Sequence, residues 1–385
     1  MSRFALTAER VFDGEVMRED AVLIVEGARI DDVVARSAVD PGLSIRDLGA
    51  GLLAPGFIDL QVNGGGGVLL NQTPTVEGVR AIAEAHRNYG VTGLLPTVIT
   101  DAPEVMHAAA HAVSDAIAQG APGVLGIHIE GPFIDPKRKG AHDERFIRRP
   151  TSADIDWLTS LNCGRILLTV APNMVEESII RKLTKAGITV SLGHSDASAA
   201  QAYKAMRAGA RGFTHLFNAM SQLSGRAPGM VGAALASAAF CGMIADGHHV
   251  DVISLQAAIK ALSSNKAFFV SDAMPSAAGG PDQYTLQGRA VCLIKDRLEL
   301  ADGTLAGANI TMLDAVRNGI GPFGFGYCDS LRMATLTPAE FIGLDSVVGR
   351  IRPGQRANLV HIGDGLNVLE TWIDGVSSIP EPNGE

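Results

Sequence analysis

TGLLPTVITDAPEVMHAAAHAVSDAIAQGAPGVLGIHIE, residues 92–130, contains the strand–helix–strand unit that decides the fold. Two short apolar runs, at 92–98 and 123–130, flank an Ala-rich stretch of helix length. Apolar runs joined by helices are typical of parallel strands, because each connection must return from one end of the sheet to the other. This segment therefore predicts an α/β fold built around a parallel sheet.

The same alternation of apolar runs and helix-length intervals extends along most of the chain. An open doubly wound sheet usually has fewer strands than this chain offers, so the count favours a closed (β/α)8 TIM barrel. The eight candidate strands are residues 52–61, 92–98, 123–130, 165–172, 188–194, 212–217, 240–247 and 267–273.

The two chain ends have a different pattern, with short strands separated by Gly and Pro turns. We expect residues 1–52 and 351–385 to form one small β-sandwich domain beside a catalytic barrel at 53–350. Within the barrel segment, residues 284–305 look like an inserted hairpin. Helical stretches near 309–318 and 328–335 follow it.

Composition excludes several classes of function. A barrel of about 250 residues with a small appendage accounts for a 385-residue chain. The net charge of −9 and the pI of about 5.6 argue against nucleic acid or an anionic membrane as a partner. The four cysteines form no CxxC pair, which argues against a disulfide framework or a thiolate zinc site. We expect a cytoplasmic protein with a small-molecule partner.

Polar residues concentrate where the predicted strands end. In a barrel of this kind, the carboxyl ends of all strands meet at one rim, and catalytic groups lie there. Ordinary strand ends show mostly turn residues, so this set of acid–base and metal-ligand types indicates a site. Its members are Asp59, Gln61, Asn63, His128, Glu130, His194, His215, Asp246, His248, His249 and Asp272.

Glu130, His194 and His215 form the candidate metal-ligand set. One carboxylate oxygen and two imidazole nitrogens suit Zn²⁺ or a similar divalent ion and leave a coordination position open for water. Such an ion acidifies a water molecule and polarises the carbonyl under attack. Asp272, at the end of the eighth run, is placed to take the proton and deliver it to the leaving nitrogen.

Two other patterns have weaker functional interpretations. His107 and His111 have zinc-like spacing in HAAAH, but no Glu follows the first His and the helix belongs on the outside of the barrel. The run Gly64 to Gly67 lacks the GxGxxG spacing of a dinucleotide cradle, so we interpret it as a flexible loop beside the pocket.

At these residues the chain resembles the N-acetylglucosamine-6-phosphate deacetylases of the amidohydrolase superfamily, and the resemblance covers essentially the whole sequence. HLFNAM together with IEGPF is specific to this family, whereas PGFID and the closing segment mark only the superfamily. The matching motifs are PGFIDLQVNG (55–64), HIEGPF (128–133), KGAH (139–142), LGHSDA (192–197), THLFNAM (214–220), GRAPG (225–229), ADGHHVD (245–251), VSDAM (270–274) and GRIRPGQRANLV (349–360).

The resemblance implies hydrolysis of the acetamide of N-acetyl-D-glucosamine 6-phosphate to D-glucosamine 6-phosphate and acetate, in amino-sugar catabolism or cell-wall recycling. It implies one divalent ion per subunit on Glu130, His194 and His215, with Zn²⁺ first and Fe²⁺, Co²⁺ or Mn²⁺ as alternatives. It also implies that Asp272 is the general base and then the general acid, and that His142 lies at the scissile carbonyl, where a donor stabilises the oxyanion.

The resemblance further implies a homodimer and a set of sugar-phosphate contacts. Arg226 is the natural phosphate partner, because a guanidinium offers a bidentate fork. The implied contacts are Ala141, His142, Asn218, Ala219, Arg226, His249, Ala306, Gly307 and Ala308.

One departure from the wider superfamily has a consequence for the metal. Many members carry HxH after the first strand and use it for a second ion, whereas this chain has Gln61 and Asn63. Amides are poor ligands for transition metals, so we predict a single ion.

Two alternative functions stay open at this point. Another amidohydrolase, acting on cyclic amides or other N-acyl groups, would usually need the HxH pair and a lysine carbamate, as in dihydroorotase- or hydantoinase-like enzymes. A non-catalytic barrel acting as an interaction module is compatible with the loss of HxH. Against that reading, decay would not be expected to spare Glu130, His194, His215 and Asp272 together.

Overall fold

A computed structural model of the protein describes residues 3–379. Its largest sheet has eight parallel strands, and neighbours in the sheet are consecutive along the chain. A parallel bridge between Val62 and Ala273 joins the last strand to the first, so the sheet closes and the predicted barrel is confirmed. The strands are Phe57–Val62, Val91–Ile99, Gly126–Glu130, Arg165–Val170, Thr189–Leu192, Gly212–Phe213, Phe240–Met243 and Ala267–Phe269.

Helices connect these strands, and several begin at side chains that cap them. Thr151, Ser198 and Thr311 each form a capping box with the residue three positions later, which satisfies backbone N–H groups left free in the first turn. The α-helices of the described residues are Val76–Arg87, Pro103–Ala118, Ser152–Ser160, Glu177–Lys185, Ala199–Arg207, Gly229–Leu235, Val252–Leu262, Met312–Ile320, Tyr327–Ala334 and Leu336–Phe341. Short 3-10 turns occupy Arg36–Ala38, Pro136–Arg138 and Glu144–Phe146.

None of the helices between residues 3 and 379 has the length and apolar character needed to cross a membrane.

Two further sheets bring the chain ends together. One sheet comprises Arg3–Thr7, Ala21–Glu26, Arg29–Ala35 and Ile45–Asp47; the other comprises Arg10–Phe12, Met17–Arg18, Leu52–Pro55, Leu359–Ile362, Val368–Ile373 and Val376–Ser377. Leu52–Pro55 pairs with both Arg10–Phe12 and Leu359–Ile362, so one sheet contains strands from both ends.

The two sheets share an apolar core, as a sandwich requires. Leu6 and Leu23 of the first sheet belong to one buried cluster with Leu53, Leu359 and Trp372 of the second. The small β-sandwich from both chain ends is therefore present in the structure. The boundaries 1–52, 53–350 and 351–385 stay a prediction, and residues 380–385 lie outside the described part.

The structure corrects the first candidate strand. The run 52–61 is two strands, Leu52–Pro55 and Phe57–Val62, which belong to different sheets. The chain changes sheet at Gly56, where a Cβ atom would lie 2.0 Å from Oγ1 of Thr92. Glycine is needed here for close approach, which the apolar pattern did not reveal.

The inserted segment is larger than the predicted hairpin. It forms a four-stranded antiparallel sheet of Gln283–Leu286, Arg289–Ile294, Arg297–Leu300 and Leu305–Ala308. Leu286, Val291 and Leu298 from this sheet pack in one apolar cluster with Ile99 and Met274 of the barrel. This packing holds the insertion at the carboxyl-end rim of the barrel.

Candidate active site

Three side chains from the barrel rim converge on one point. Glu130 ends the strand Gly126–Glu130, and His194 and His215 each lie two residues beyond the end of their own strand. Nε2 of each imidazole lies 3.1 Å from Oε1 of Glu130, and the two Nε2 atoms are 2.9 Å apart. All three side chains are buried. The structure thus brings together the three residues that the sequence selected.

The hydrogen bonding of His194 shows that this cluster fits a metal ion. Its Nδ1 lies 2.8 Å from the backbone carbonyl oxygen of Arg138, which can only accept, so Nδ1 donates. In the neutral ring Nε2 then has a lone pair that faces Oε1 of Glu130 and Nε2 of His215. A cation between these atoms relieves the repulsion, and a carbonyl behind a ligating imidazole is the usual support in metal sites. Glu130, His194 and His215 would hold such an ion.

Three rim residues have a left-handed backbone. The φ angles are 45° at His194, 32° at His215 and 49° at Asp272. For residues other than glycine such conformations cost on the order of 1–3 kcal/mol each and persist only where the surroundings enforce them. At Asp272 the backbone N–H donates to the carbonyl of Gln61, and the N–H of Ala308 donates to the carbonyl of Asp272.

Asp272 lies in a buried amide network beside the ligand cluster. Its Oδ1 accepts from Nε2 of Gln61 at 3.1 Å and from Nδ2 of Asn63 at 2.7 Å. The same Gln61 nitrogen donates to Oε1 of Glu130 at 3.1 Å. Burial, with a further contribution from the Glu130 charge, raises the pKa of Asp272 to about 6. A carboxyl group with a pKa near the working pH is suited to exchanging a proton.

His142 lies next to the cluster and is neutral. Its Nδ1 is 2.8 Å from Oγ1 of Thr100, and its ring centroid is 4.5 Å from that of His194. Burial, reinforced by the neighbouring His194, lowers the pKa of His142 to about 3. A neutral imidazole has one N–H, so His142 donates to a developing oxyanion only in the tautomer in which Thr100 donates to Nδ1 and the hydrogen is on Nε2.

These groups face a cavity of about 420 Å³, within the range of small-molecule sites. Most of the predicted site residues of all classes line it: Asn63, Glu130, Ala141, His142, His194, His215, Asn218, Ala219, His249, Asp272, Ala306 and Gly307. Gln61 and Ala308 are not among the residues that line the cavity, but both form hydrogen bonds with Asp272. Arg226 is on an exposed loop outside this lining, so its phosphate contact stays a prediction.

Two cations of the lining, Lys137 and Arg138, were not predicted from the sequence. Nη2 of Arg138 pairs with Oδ1 of Asp196 at 2.8 Å, whereas Lys137 has no ion-pair partner among residues 3–379. In the sequence they belong to KRK at 137–139, a basic run in an acidic chain, but the run itself does not show that it borders the cavity. Basic residues at the mouth suit an anionic ligand.

Two further rim histidines are held by identified partners. Nδ1 of His249 lies 2.6 Å from Oδ2 of Asp246; burial opposes ionisation of this carboxyl, but His249 outweighs it and the pKa of Asp246 is lowered. His128 contacts the hydroxyls of Thr97 and Thr169 inside the barrel. It makes no hydrogen bond to Glu130 among the contacts of the described chain.

Comparison with known proteins gives a consistent result. The model of the amidohydrolase family matches residues 52–377. N-acetylgalactosamine-6-phosphate deacetylase from Shewanella sp. (strain ANA-3) is 44% identical, covering 85% of this chain and 83% of its own. N-acetylglucosamine-6-phosphate deacetylase from Haemophilus influenzae is 34% identical over 94% and 95% of the two chains. The crystal structure of N-acetylglucosamine-6-phosphate deacetylase from Pasteurella multocida superposes with a TM-score of 0.95 at 33% identity, covering 98% of this chain and 100% of that one.

Proposed function

This chain belongs to the amidohydrolase family, and we propose that it hydrolyses the acetamide of N-acetyl-D-glucosamine 6-phosphate to D-glucosamine 6-phosphate and acetate. The observation that carries the proposal is the convergence of Glu130, His194, His215 and Asp272 on one cavity. The cavity and the cluster lie in a chain that is 33–44% identical to these deacetylases over most of its length. We assign the reaction to amino-sugar catabolism or cell-wall recycling.

The family is metal-dependent, and the ion held by Glu130, His194 and His215 supplies an acidified water and a polarised carbonyl when bound. Asp272 takes a proton from the water as its oxygen bonds to the acetyl carbon. With Thr100 donating to its Nδ1, His142 donates its Nε2–H to the oxygen of that carbonyl as negative charge develops there. The C–N bond then breaks, and Asp272 gives the proton to the leaving nitrogen.

The atoms and protons of these reaction steps balance. One water molecule is consumed, and Asp272 returns to its starting protonation state. The same carboxylate acts first as base and then as acid, which its raised pKa permits. His142 is suited to donation and not to general acid catalysis, because its low pKa leaves the ring neutral at physiological pH.

The phosphate binds at the basic side of the cavity mouth. Lys137 and Arg138 line this side, and His249 lines the cavity as well. Asn218 and Ala219 also belong to the lining and contact the sugar phosphate in this proposal. Arg226 is retained as a further phosphate partner on the strength of its GRAPG motif.

A specific observation favours a second candidate substrate, N-acetyl-D-galactosamine 6-phosphate. The relative that is 44% identical has this specificity in its name, and so does a relative from Escherichia coli O157:H7 at 35%. The two substrates differ only in the configuration of one ring hydroxyl, remote from the acetamide chemistry. Glu130, Asp272 and His142 would act in the same way on both.

The comparisons favour deacetylation over the two alternatives left open by the sequence. The relatives reported above are sugar-phosphate deacetylases and not cyclic-amide hydrolases. In a non-catalytic barrel, the buried cluster of Glu130, His194 and His215 would bring ligand atoms close together without any function to require it. We further propose that the ion is Zn²⁺, that the protein is a homodimer and that it works in the cytoplasm, where the cysteines stay unpaired.

Acetate release from purified protein tests the function. The protein is incubated with each of the two phosphorylated sugars, as purified, after chelation, and after re-metallation with Zn²⁺. N-acetylglucosamine without phosphate is the matched control, and we expect it to react poorly because the basic mouth has no anion to bind. Absence of acetate from both phosphorylated substrates after re-metallation would refute the proposal.

A further inference from the structure

The residues in the HxH positions have a role of their own in this structure. Gln61 and Asn63 are two residues apart at the end of the first barrel strand, so their side chains leave the backbone on the same face. Both side chains are almost fully buried, with 2% exposure each. Their amide groups do not pair with each other but turn toward Asp272.

The orientation of each amide is determined by its neighbours. A carboxylate can only accept, so the NH₂ groups of Gln61 and Asn63 must face Oδ1 of Asp272. For Asn63 this has a cost, because its own Oδ1 is left buried without a partner among residues 3–379. Reversing the amide would place oxygen against oxygen at 2.7 Å. The contact with Asp272 therefore decides how Asn63 is held.

The two carboxylate oxygens of Asp272 have different hydrogen-bonding environments. Oδ1 accepts both amide donors, whereas Oδ2 receives no hydrogen bond from the described residues. Asp272 lines the cavity. The oxygen without a protein donor is the one available to a water molecule or a leaving nitrogen.

Gln61 also connects the acid–base residue to the ligand cluster. Its NH₂ group has two hydrogens, and it lies 3.1 Å from Oδ1 of Asp272 and 3.1 Å from Oε1 of Glu130. It therefore separates two carboxyl groups that would otherwise repel each other in a buried site. A second cation at the HxH positions would have the same electrostatic effect.

We propose that the Gln61–Asn63 amide pair is a positioning device that anchors Asp272 through Oδ1 and assigns proton transfer to Oδ2, with Gln61 also orienting Glu130. The inference deepens the proposed function and rests on it for the identity of the proton-transfer step. Both amides act through their hydrogen bonds to Asp272, so both are positioning residues.

The test compares Asn63→Leu and Gln61→Leu, each alone and combined with Asp272→Asn, with Asn358→Leu as the matched control. Asn358 is also a buried asparagine, but it bonds to backbone groups of Thr92 and Asp374, remote from the cavity lining. Three quantities are measured: kcat, KM for N-acetylglucosamine 6-phosphate, and Zn²⁺ affinity by competition with a chelator.

We expect Asn63→Leu to lower kcat by roughly 10- to 100-fold, with KM and Zn²⁺ affinity close to wild type. Gln61→Leu should lower kcat similarly and also weaken Zn²⁺ binding by roughly 10- to 100-fold, because it alone contacts a ligand. In the Asp272→Asn background, Asn63→Leu should have almost no further effect on kcat, because the group it positions is absent. Asn358→Leu should change stability but not kcat.

Two results would overturn the inference: an unchanged kcat in Asn63→Leu, or an equal loss with and without Asp272→Asn. If Asn63→Leu fails to fold, Asn63→Ala replaces it, because a smaller side chain cannot overpack the site. If the wild-type protein releases no acetate, the proposed function has failed. The different Zn²⁺ affinities of the two single variants then still test the network, and equal affinities would contradict it.

Discussion

Asp272→Asn is the substitution that tests the proposed chemistry most directly. The asparagine side chain has the same shape, and its carbonyl oxygen can take the place of Oδ1 and accept from both Gln61 and Asn63. Its NH₂ group then occupies the position of Oδ2, where it cannot accept a proton. The variant should therefore keep the geometry of the site and lose only the base.

General acid–base catalysis contributes about 10²- to 10⁴-fold, so we expect kcat to fall by this factor. At about 1.36 kcal/mol per tenfold change, the activation free energy rises by roughly 2.7–5.4 kcal/mol. Stability should not fall, because burial and the nearby Glu130 charge already disfavour the ionised carboxyl, as its raised pKa shows. Zn²⁺ content should also be retained, because Asp272 is not in the ligand cluster.

The assay measures acetate release at saturating substrate, with Zn²⁺ content and thermal unfolding recorded on the same samples. Asp154→Asn is the matched control, since it makes the same chemical change at a helix cap and should leave kcat unchanged. Near-wild-type turnover of Asp272→Asn would remove this residue from the mechanism. A loss of turnover accompanied by a loss of metal would show that its role is structural.

Three further predictions concern the metal, the sheet crossing and a helix cap. His194→Ala should lose the bound ion while keeping its circular dichroism spectrum; a full equivalent of metal after dialysis would contradict the ligand assignment. Gly56→Ala should lower the free energy of unfolding in urea by about 1–3 kcal/mol or more, because its Cβ would meet Thr92. Gly225→Ala, in open space, is its control, and equal midpoints would refute the steric argument. Asp154→Asn should cost about 1–2 kcal/mol at pH 7, because it weakens the capping-box bonds that the carboxylate accepts from Thr151 and removes the partly exposed ion pair with Arg148. Burial opposes ionisation of Asp154, but hydrogen bonds from Arg148 and Thr151 lower its pKa to about 2. The stabilisation by the Asp154 carboxylate is therefore complete above pH 4 and is lost as the pH falls toward 2. If the difference in urea midpoint between the wild type and Asp154→Asn stayed constant over that range, the stabilising role of this carboxylate would be contradicted.

The candidate ligand set was predictable because the barrel turns sequence order into spatial order. Glu130, His194 and His215 are as much as 85 residues apart, but each ends or closely follows a parallel strand. All strand ends of one direction meet at one rim, so residue type and position at the strand end were enough. Asp272 was found by the same reasoning.

The other parts of the site depend on packing that has no local pattern. The inserted strands 283–308 reach the rim because Leu286 and Val291 pack on Ile99 and Met274, contacts between distant segments. Gly56 appeared to lie within a continuous apolar strand, because a change of sheet leaves no mark on hydropathy. Lys137 was overlooked because a basic run on a loop is usually solvated, and only the fold shows that this loop borders the cavity.

The amide pair also bears on the number of metal ions. Two carboxyl groups, Glu130 and Asp272, lie in one buried site, and a buried charge is costly unless it is paired or hydrogen-bonded. In a site with HxH, a second cation can balance them. Here the NH₂ groups of Gln61 and Asn63 already donate to both carboxyl groups, so no second cation is needed. Introducing histidines at these positions would therefore do more than add ligands. It would remove the donors that hold Asp272, and a second ion would have to replace them before proton transfer could recover.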